Sequence, residues 1–129
     1  MTTLNDKINN KTATIGIVGL GYVGLPQAVA FAAAGFLVIG IDVNGERVAA
    51  VNRGESQIPD VPSEQLAPLV AARRLSASTD PARLVEADVM LICVPTPVDA
   101  YRAPDLRALR GACDTVVRHA RPGQTIVLT

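Results

Sequence analysis

Glycine stands at positions 19, 21 and 24 in the run Gly19-Leu20-Gly21-Tyr22-Val23-Gly24, directly after the apolar stretch Thr14 to Val18 and directly before a helical pattern. A strand that enters a helix through this spacing suits a pyrophosphate. Gly19 permits the tight turn, Gly21 lets the backbone approach the phosphates, and Gly24 lets helix and strand pack closely. The helix start offers amides without intrahelical partners, and those of Tyr22 and Val23 are the expected donors to the negative charge. Taken alone, the run also fits a glycine-rich turn between two packed elements. Asp42 favours the dinucleotide, because it closes the next strand-like run 18 residues after Gly24, where an acid accepts hydrogen bonds from the adenosine ribose hydroxyls. An acid there repels the extra phosphate of NADP, so the expected cofactor is NAD.

Other polar residues carry less. Arg47, five residues after Asp42, is placed either over the adenosine end of a dinucleotide or on a solvated helix face, and spacing does not separate the two. Thr96, in Val94-Pro95-Thr96-Pro97, offers a hydroxyl beside the switch point where doubly wound sheets bind ligands, yet two prolines also make a rigid structural loop. His119 near a helix end is a favourable dipole partner, with no acid or nucleophile placed beside it. Cys93 in an apolar strand and Cys113 on a helix core stripe read as packing residues. Asp60, Glu64, Asp80 and Glu86 fit caps and solvated faces, and no metal-ligand spacing is present.

The elements that must position these residues follow from hydrophobic period. Strand-length runs occur at Thr14 to Val18, Leu37 to Ile41, Val89 to Val94 and Gln124 to Leu128, with a weaker one at Leu75 to Ser78. Helical patterns lie between them at about Tyr22 to Ala34, Asn44 to Arg53 and Ser63 to Ala72, with a short one opened by Asp80-Pro81 and ended at Ala87. A last helix, from near Pro104, places Leu106, Leu109, Cys113, Val116, Val117 and Ala120 on one stripe. Alternating strands and helices, with strands apolar on both faces, predict a parallel sheet covered on both sides. The expected fold is a Rossmann-like doubly wound α/β domain over residues 14–129, preceded by a loose tail over 1–13. Its five strands are one short of the six of the full fold, so the sheet is expected to stop before its last strand.

Composition narrows the partners. The 129 residues give room for one domain. Twelve basic and twelve acidic side chains balance to zero charge, so the basic field that nucleic acid or an anionic membrane requires is missing. Aromatics at 3% without tryptophan leave no stacking platform for bases. Two cysteines are too few for a disulfide framework, which points to a reducing, cytoplasmic setting. The stretch Ile15 to Ile41 is free of charge over 27 residues, long enough for a membrane span. Six glycines with Pro26 and Gln27 divide it into strand, helix and strand instead.

Together these residues resemble the nucleotide-sugar 6-dehydrogenases, the family of UDP-glucose and GDP-mannose dehydrogenases. Ile15 through Pro26 is similar to their opening fingerprint, Gly40-Ile41-Asp42-Val43-Asn44 to their acidic strand end, and Val94-Pro95-Thr96-Pro97 to their proline-threonine-proline loop. Ile58 to Val70, with Tyr101-Arg102 and Pro104-Asp105-Leu106, resembles the branch acting on UDP-N-acetylglucosamine or UDP-N-acetylmannosamine. Gln27 and Ala103 depart from that branch without touching the fingerprint. The resemblance spans Thr14 to Leu128. It implies that Tyr22, Val23, Asp42, Arg47 and Thr96 contact NAD. It also implies that the sugar 6-hydroxyl is oxidised to a carboxylate with two NAD, through an aldehyde and a cysteine-bound thioester. The family's nucleophilic cysteine and assisting lysine belong to segments beyond residue 129, so neither Cys93 nor Cys113 is that cysteine and no catalytic residue is expected here. The expected role is the cofactor-binding part of a UDP-sugar dehydrogenase whose substrate is held by a further domain, the full-length protein being a homodimer or larger. A stand-alone NAD-binding or regulatory module is the alternative from another class. Hydroxyacid and hydroxyacyl dehydrogenases also begin with a similar strand, turn and helix, and the Pro-Thr-Pro loop separates them from the first reading.

Overall fold

The computed structural model describes residues 3–94 and 106–129. Five strands form one wholly parallel sheet: β1 (Thr14–Val18), β2 (Leu37–Ile41), β3 (Leu75–Ser78), β4 (Val89–Ile92) and β5 (Thr125–Leu128), in the order β3-β2-β1-β4-β5. The helices are α1 (Leu4–Asn9), α2 (Gly24–Ala33), α3 (Gly45–Asn52), α4 (Ser63–Ala71) and α5 (Arg107–His119), and a 3-10 segment spans Pro81–Glu86. The uncharged stretch at 15–41 is thus β1, α2 and β2. No helix among the described residues is long and apolar enough to cross a membrane.

Alternation along β1 builds a core on each face. Ile15 and Ile17 pack with Leu25, Ala28, Val38, Leu66, Leu75 and Leu91 under α2 and α4. Val18 turns the other way, to Ile39, Ile41, Leu84, Met90, Ile92 and Val116. Each of the larger of these side chains contributes on the order of 1.5–3 kcal/mol by leaving water. Helix α2 stops where its sequence says it should. The Phe36 amide donates to the Phe31 carbonyl and the Gly35 amide to the Ala32 carbonyl. The Phe31 and Phe36 rings meet edge to face at 6.1 Å, completing a Schellman end.

Two expectations change and a third is sharpened. Residues 4–9, expected within a loose tail, form a helix whose Thr3 hydroxyl and Asp6 carboxylate cap each other's amides at 3.1 and 3.2 Å. The short helix expected after Asp80-Pro81 forms as a 3-10 segment, with the Asp80 side chain accepting from the Ala82 amide at 3.0 Å. Its carbonyls at Leu84, Val85 and Ala87 are taken by the side chains of Arg121 and Gln124 at 2.7–3.1 Å, so no further helical turn is needed to satisfy them. The stripe on α5 is narrower than its period suggests. Val116 is buried, and Leu109, Ala112 and Cys113 pack partly against the core, whereas Val117 is 71% exposed.

The two sheet edges differ. At β3 the Asn52 side chain donates to the Ala77 carbonyl and accepts from the Ala77 amide, both at 2.9 Å, which closes the edge with an amide in place of a strand. At β5 the Thr125 and Thr129 amides face β4. By alternation those of Ile126 and Leu128 face outward, beside side chains 46% and 62% exposed.

Asp88 anchors the end of the sheet where β1 and β4 begin. Its carboxylate accepts from the Thr14 amide at 2.8 Å and from Lys7 Nζ at 3.0 Å, with Arg121 at 3.6 Å. Burial alone would raise its pKa, but the Thr14 amide, Lys7 and Arg121 outweigh burial and hold it below the ordinary carboxylate range. A carboxyl depressed in this way stabilises the fold at neutral pH, and the contribution disappears as pH falls through its folded pKa. Asp88→Asn should therefore lower unfolding stability by about 1–2 kcal/mol at pH 7, with the deficit shrinking below roughly pH 4. Denaturant titrations of both proteins from pH 7 to pH 3 measure this, and a deficit unchanged across that range would assign it to shape rather than charge.

Candidate functional site

The chain leaves β1 at the centre of the sheet, where the next strand in sequence lies on one side and β4 on the other. The Gly19 amide reaches across to the Ile41 carbonyl at 2.7 Å, and the Cys93 amide donates to the Val18 carbonyl at 2.7 Å. The glycine run therefore sits over the carboxyl ends of β1, β2 and β4, the crevice that strand order opens in a doubly wound sheet.

The three glycines answer different demands. Gly19 has φ +99°, and a Cβ there would stand 2.8 Å from the Cys93 carbonyl oxygen. A Cβ on Gly24 would overlap the Gly19 carbonyl oxygen. Both are required by the backbone itself. At Gly21 φ lies outside the left-handed region, and a Cβ would meet only Arg47 Nη1, at 3.8 Å. The fold makes no use of glycine at 21, and the open space above it faces the crevice.

Beside that space the start of α2 is uncapped. Its N-cap residue Val23 makes no side-chain cap, and the Tyr22 and Val23 amides donate to nothing among the described residues. Both residues are more than half exposed. An acceptor arriving there would find free amides at the positive end of a helix.

Asp42 ends β2 and is one of two buried charged residues among those described, the other being Asp88. Its Oδ2 accepts from the Leu20 amide at 2.8 Å, inside the glycine run, and its Oδ1 from the Asn44 amide at 2.9 Å. Asn44 in turn caps α3, accepting from the Glu46 and Arg47 amides at 3.0 and 3.1 Å. That cap fixes Arg47 in the first turn, from which Nη1 comes within 3.4 Å of Asp42 Oδ2. The structure thus brings together Gly19, Gly21, Tyr22, Val23, Gly24, Asp42 and Arg47. Thr96 lies outside the described residues. The amides of Leu20 and Asn44, which hold Asp42, were not anticipated from sequence. The only hint was an aspartate two residues before a capping Asn44.

The remaining candidates stay structural. Cys93 is buried, and burial pushes its thiol pKa up, with the Thr129 hydroxyl at 3.2 Å acting the other way. That is the reverse of an activated nucleophile. His119 lies in the last turn of α5, where a cation complements the helix dipole. No group of three or more histidine, cysteine, aspartate or glutamate side chains among the described residues is placed to hold a metal ion.

Comparison with known proteins agrees with this geometry. Residues 13–129 match the family model described as the UDP-glucose/GDP-mannose dehydrogenase family, NAD binding domain. The UDP-N-acetyl-D-mannosamine dehydrogenase of Escherichia coli K12 is 42% identical over 118 residues, which is 90% of this chain and 27% of that protein. The NDP-N-acetyl-D-galactosaminuronic acid dehydrogenase of Ralstonia nicotianae is 36% identical over 116 residues, 89% of this chain and 27% of that one. Among solved structures, a ternary complex of GDP-mannose dehydrogenase from Pseudomonas aeruginosa superposes with TM-score 0.83 at 33% identity, covering 88% of this chain and 27% of its own. The NDP-N-acetyl-D-galactosaminuronic acid dehydrogenase of Methanosarcina mazei gives 0.84 at 30% identity, covering 99% and 30%. The chain spans only about a quarter of the length of the curated relatives named here. With residues 13–129 matching its NAD binding domain, the chain belongs to the UDP-glucose/GDP-mannose dehydrogenase family.

Proposed function

We propose that this domain holds NAD for a dehydrogenase that oxidises the 6-hydroxyl of a UDP-N-acetylhexosamine, or a UDP-glucose-like sugar, to a carboxylate with two NAD. In this reading the Tyr22 and Val23 amides would donate to the pyrophosphate beside Gly21, while Gly19 and Gly24 shape the turn. The spare lone pairs of Asp42 would accept from the adenosine ribose hydroxyls, with Arg47 beside them, and the resemblance adds Thr96 as a further contact. The observation that carries the proposal is Gly21, where neither φ nor space within the fold demands a glycine, set beside two free amides and a buried acid. NAD, when bound, accepts the hydride. The work of this chain is to bind and orient it. The UDP-N-acetylhexosamine substrate is supported by the names of relatives such as the 42% identical UDP-N-acetyl-D-mannosamine dehydrogenase. Its binding site and the groups that act on it belong to a substrate domain outside these residues.

Two experiments test the reading. Gly21→Ala should fold with near wild-type stability and bind NAD roughly tenfold or more weakly, about 1.4 kcal/mol. Gly24→Ala, by contrast, should lose folding along with binding. Calorimetric titration with thermal unfolding of each variant separates these outcomes, and unimpaired NAD binding by Gly21→Ala would remove the pyrophosphate from that position. The purified 129-residue chain should bind NAD yet produce no NADH with UDP-N-acetylmannosamine, UDP-N-acetylglucosamine or UDP-glucose. Steady turnover of any of them would place catalytic groups within this chain.

A further inference from the structure

A second concavity lies where β2 and β3 begin, beside the outer edge of the sheet, whereas the crevice lies at the strands' carboxyl ends. Its volume is about 350 Å³, at the small end of the roughly 300–1,000 Å³ of ligand pockets. Val70 near the end of α4 and Leu37 at the start of β2 give it apolar walls, and Leu37 is 41% exposed. The 3-10 segment supplies Arg83 and Glu86, which pair at 3.2 Å, while Arg83 Nη1 reaches the Ser76 hydroxyl at 3.4 Å. Those two charges cancel. Arg73 is also part of the lining, and its exposed guanidinium has no hydrogen bond or ion pair among the described residues. Its backbone is as unusual as its charge. Arg73 follows the C-cap of α4 with φ +59°, the left-handed place at a helix end where glycine is favoured. A strained residue whose long charged side chain is held by nothing in the fold is a mark of a ligand site.

We infer that this concavity binds a small carboxylate with a compact apolar body, the carboxylate paired to Arg73 and the body laid against Leu37 and Val70. The inference does not depend on the cofactor reading. With Arg83 and Glu86 cancelling, the lining carries one unmatched positive charge, which suits a single negative charge. A phosphate dianion would bring a second one beside Glu86. The planar fork of a guanidinium matches the two oxygens of a carboxylate, and the Ser76 hydroxyl, which accepts from Arg83, keeps its own proton to donate. Covering Leu37 removes from water apolar surface that the fold leaves exposed. An exposed ion pair alone is worth little, so the charge and the apolar body are required together.

The test is titration of hexanoate into the isotope-labelled 129-residue chain, followed by backbone amide shifts in NMR, beside acetate, which has the charge without the body, and hexanol, which has the body without the charge. Hexanoate should shift the Leu37, Ser76 and Arg83 amides with a Kd of about 1 mM, and acetate and hexanol should each bind roughly tenfold or more weakly. Arg73→Gly should be at least as stable to heat as the wild type, because glycine suits that backbone, yet bind hexanoate about tenfold more weakly. Glu86→Gln, which frees Arg83, should bind it more tightly than the wild type does. Hexanoate that leaves those amides unmoved, acetate that binds as well as hexanoate, or a folded Arg73→Gly with wild-type affinity overturns the inference. If Arg73→Gly does not fold, Glu86→Gln decides alone, and an affinity unchanged or weakened there overturns it.

Discussion

The bond between the Leu20 amide and the Asp42 carboxylate is the contact on which the site is built. A carboxylate as buried as Asp42 is costly unless donors meet it, and its two close donors are backbone amides on different elements, one in the glycine run and one at the start of α3. Satisfying the charge therefore fixes three things at once. The turn after β1 is drawn against the end of β2, the Asn44 cap is set so that α3 begins in place, and Arg47 is delivered to the rim of the crevice. A change at Asp42 acts on the shape of the glycine loop as well as on any ligand, so its variants must be judged by charge and shape separately.

The two buried acids make the polarity of the sheet legible. Asp88, where β1 and β4 begin, is surrounded by Thr14, Lys7 and Arg121, and the neighbouring carbonyls of the 3-10 segment are taken by Arg121 and Gln124. That end is a closed clamp in which the donors and acceptors answer one another. At the carboxyl end the amides of Tyr22 and Val23, the Nε of Arg47 and the space over Gly21 are unanswered from within the described residues. Of these only Arg47 Nε is shielded from solvent, and an unmet polar group costs about 1–3 kcal/mol when buried. On the cofactor reading, their collection around one crevice is where the dinucleotide is accommodated.

Much of this arrangement could be read in the sequence because it depends on local signals. Strand length and β-branched content placed β1 and β2 at their observed bounds, β3 followed from length alone as a weaker run, and the spacing of Gly19, Gly21, Gly24 and Asp42 pointed to the end of the sheet where they come together. What could not be read depends on contacts between distant residues or on backbone donors. Lys7 meets Asp88 across 81 positions, and a six-residue helix such as α1 is too short to hold without such an attachment. The Leu20 and Asn44 amides carry no residue-type signature at all. Helical period marked the stripe on α5, but period gives direction and not width. Only the position of the helix over β4 decides that Val116 is covered while Val117, about 100° further round the helix, is not.

The β2 side of the crevice shows how packing and polar ties work together. There the sheet is covered by α2 and α4 above and by the 3-10 segment below, the edge at β3 is closed by Asn52, and the loops are tied through Asp42 and Asn44. Local stability follows buried contacts, so these ties hold the glycine run and the start of α3 on a well-packed base. On the cofactor reading that side receives the adenosine end, and the part of the dinucleotide that undergoes no chemistry is then gripped by groups whose positions the fold itself fixes.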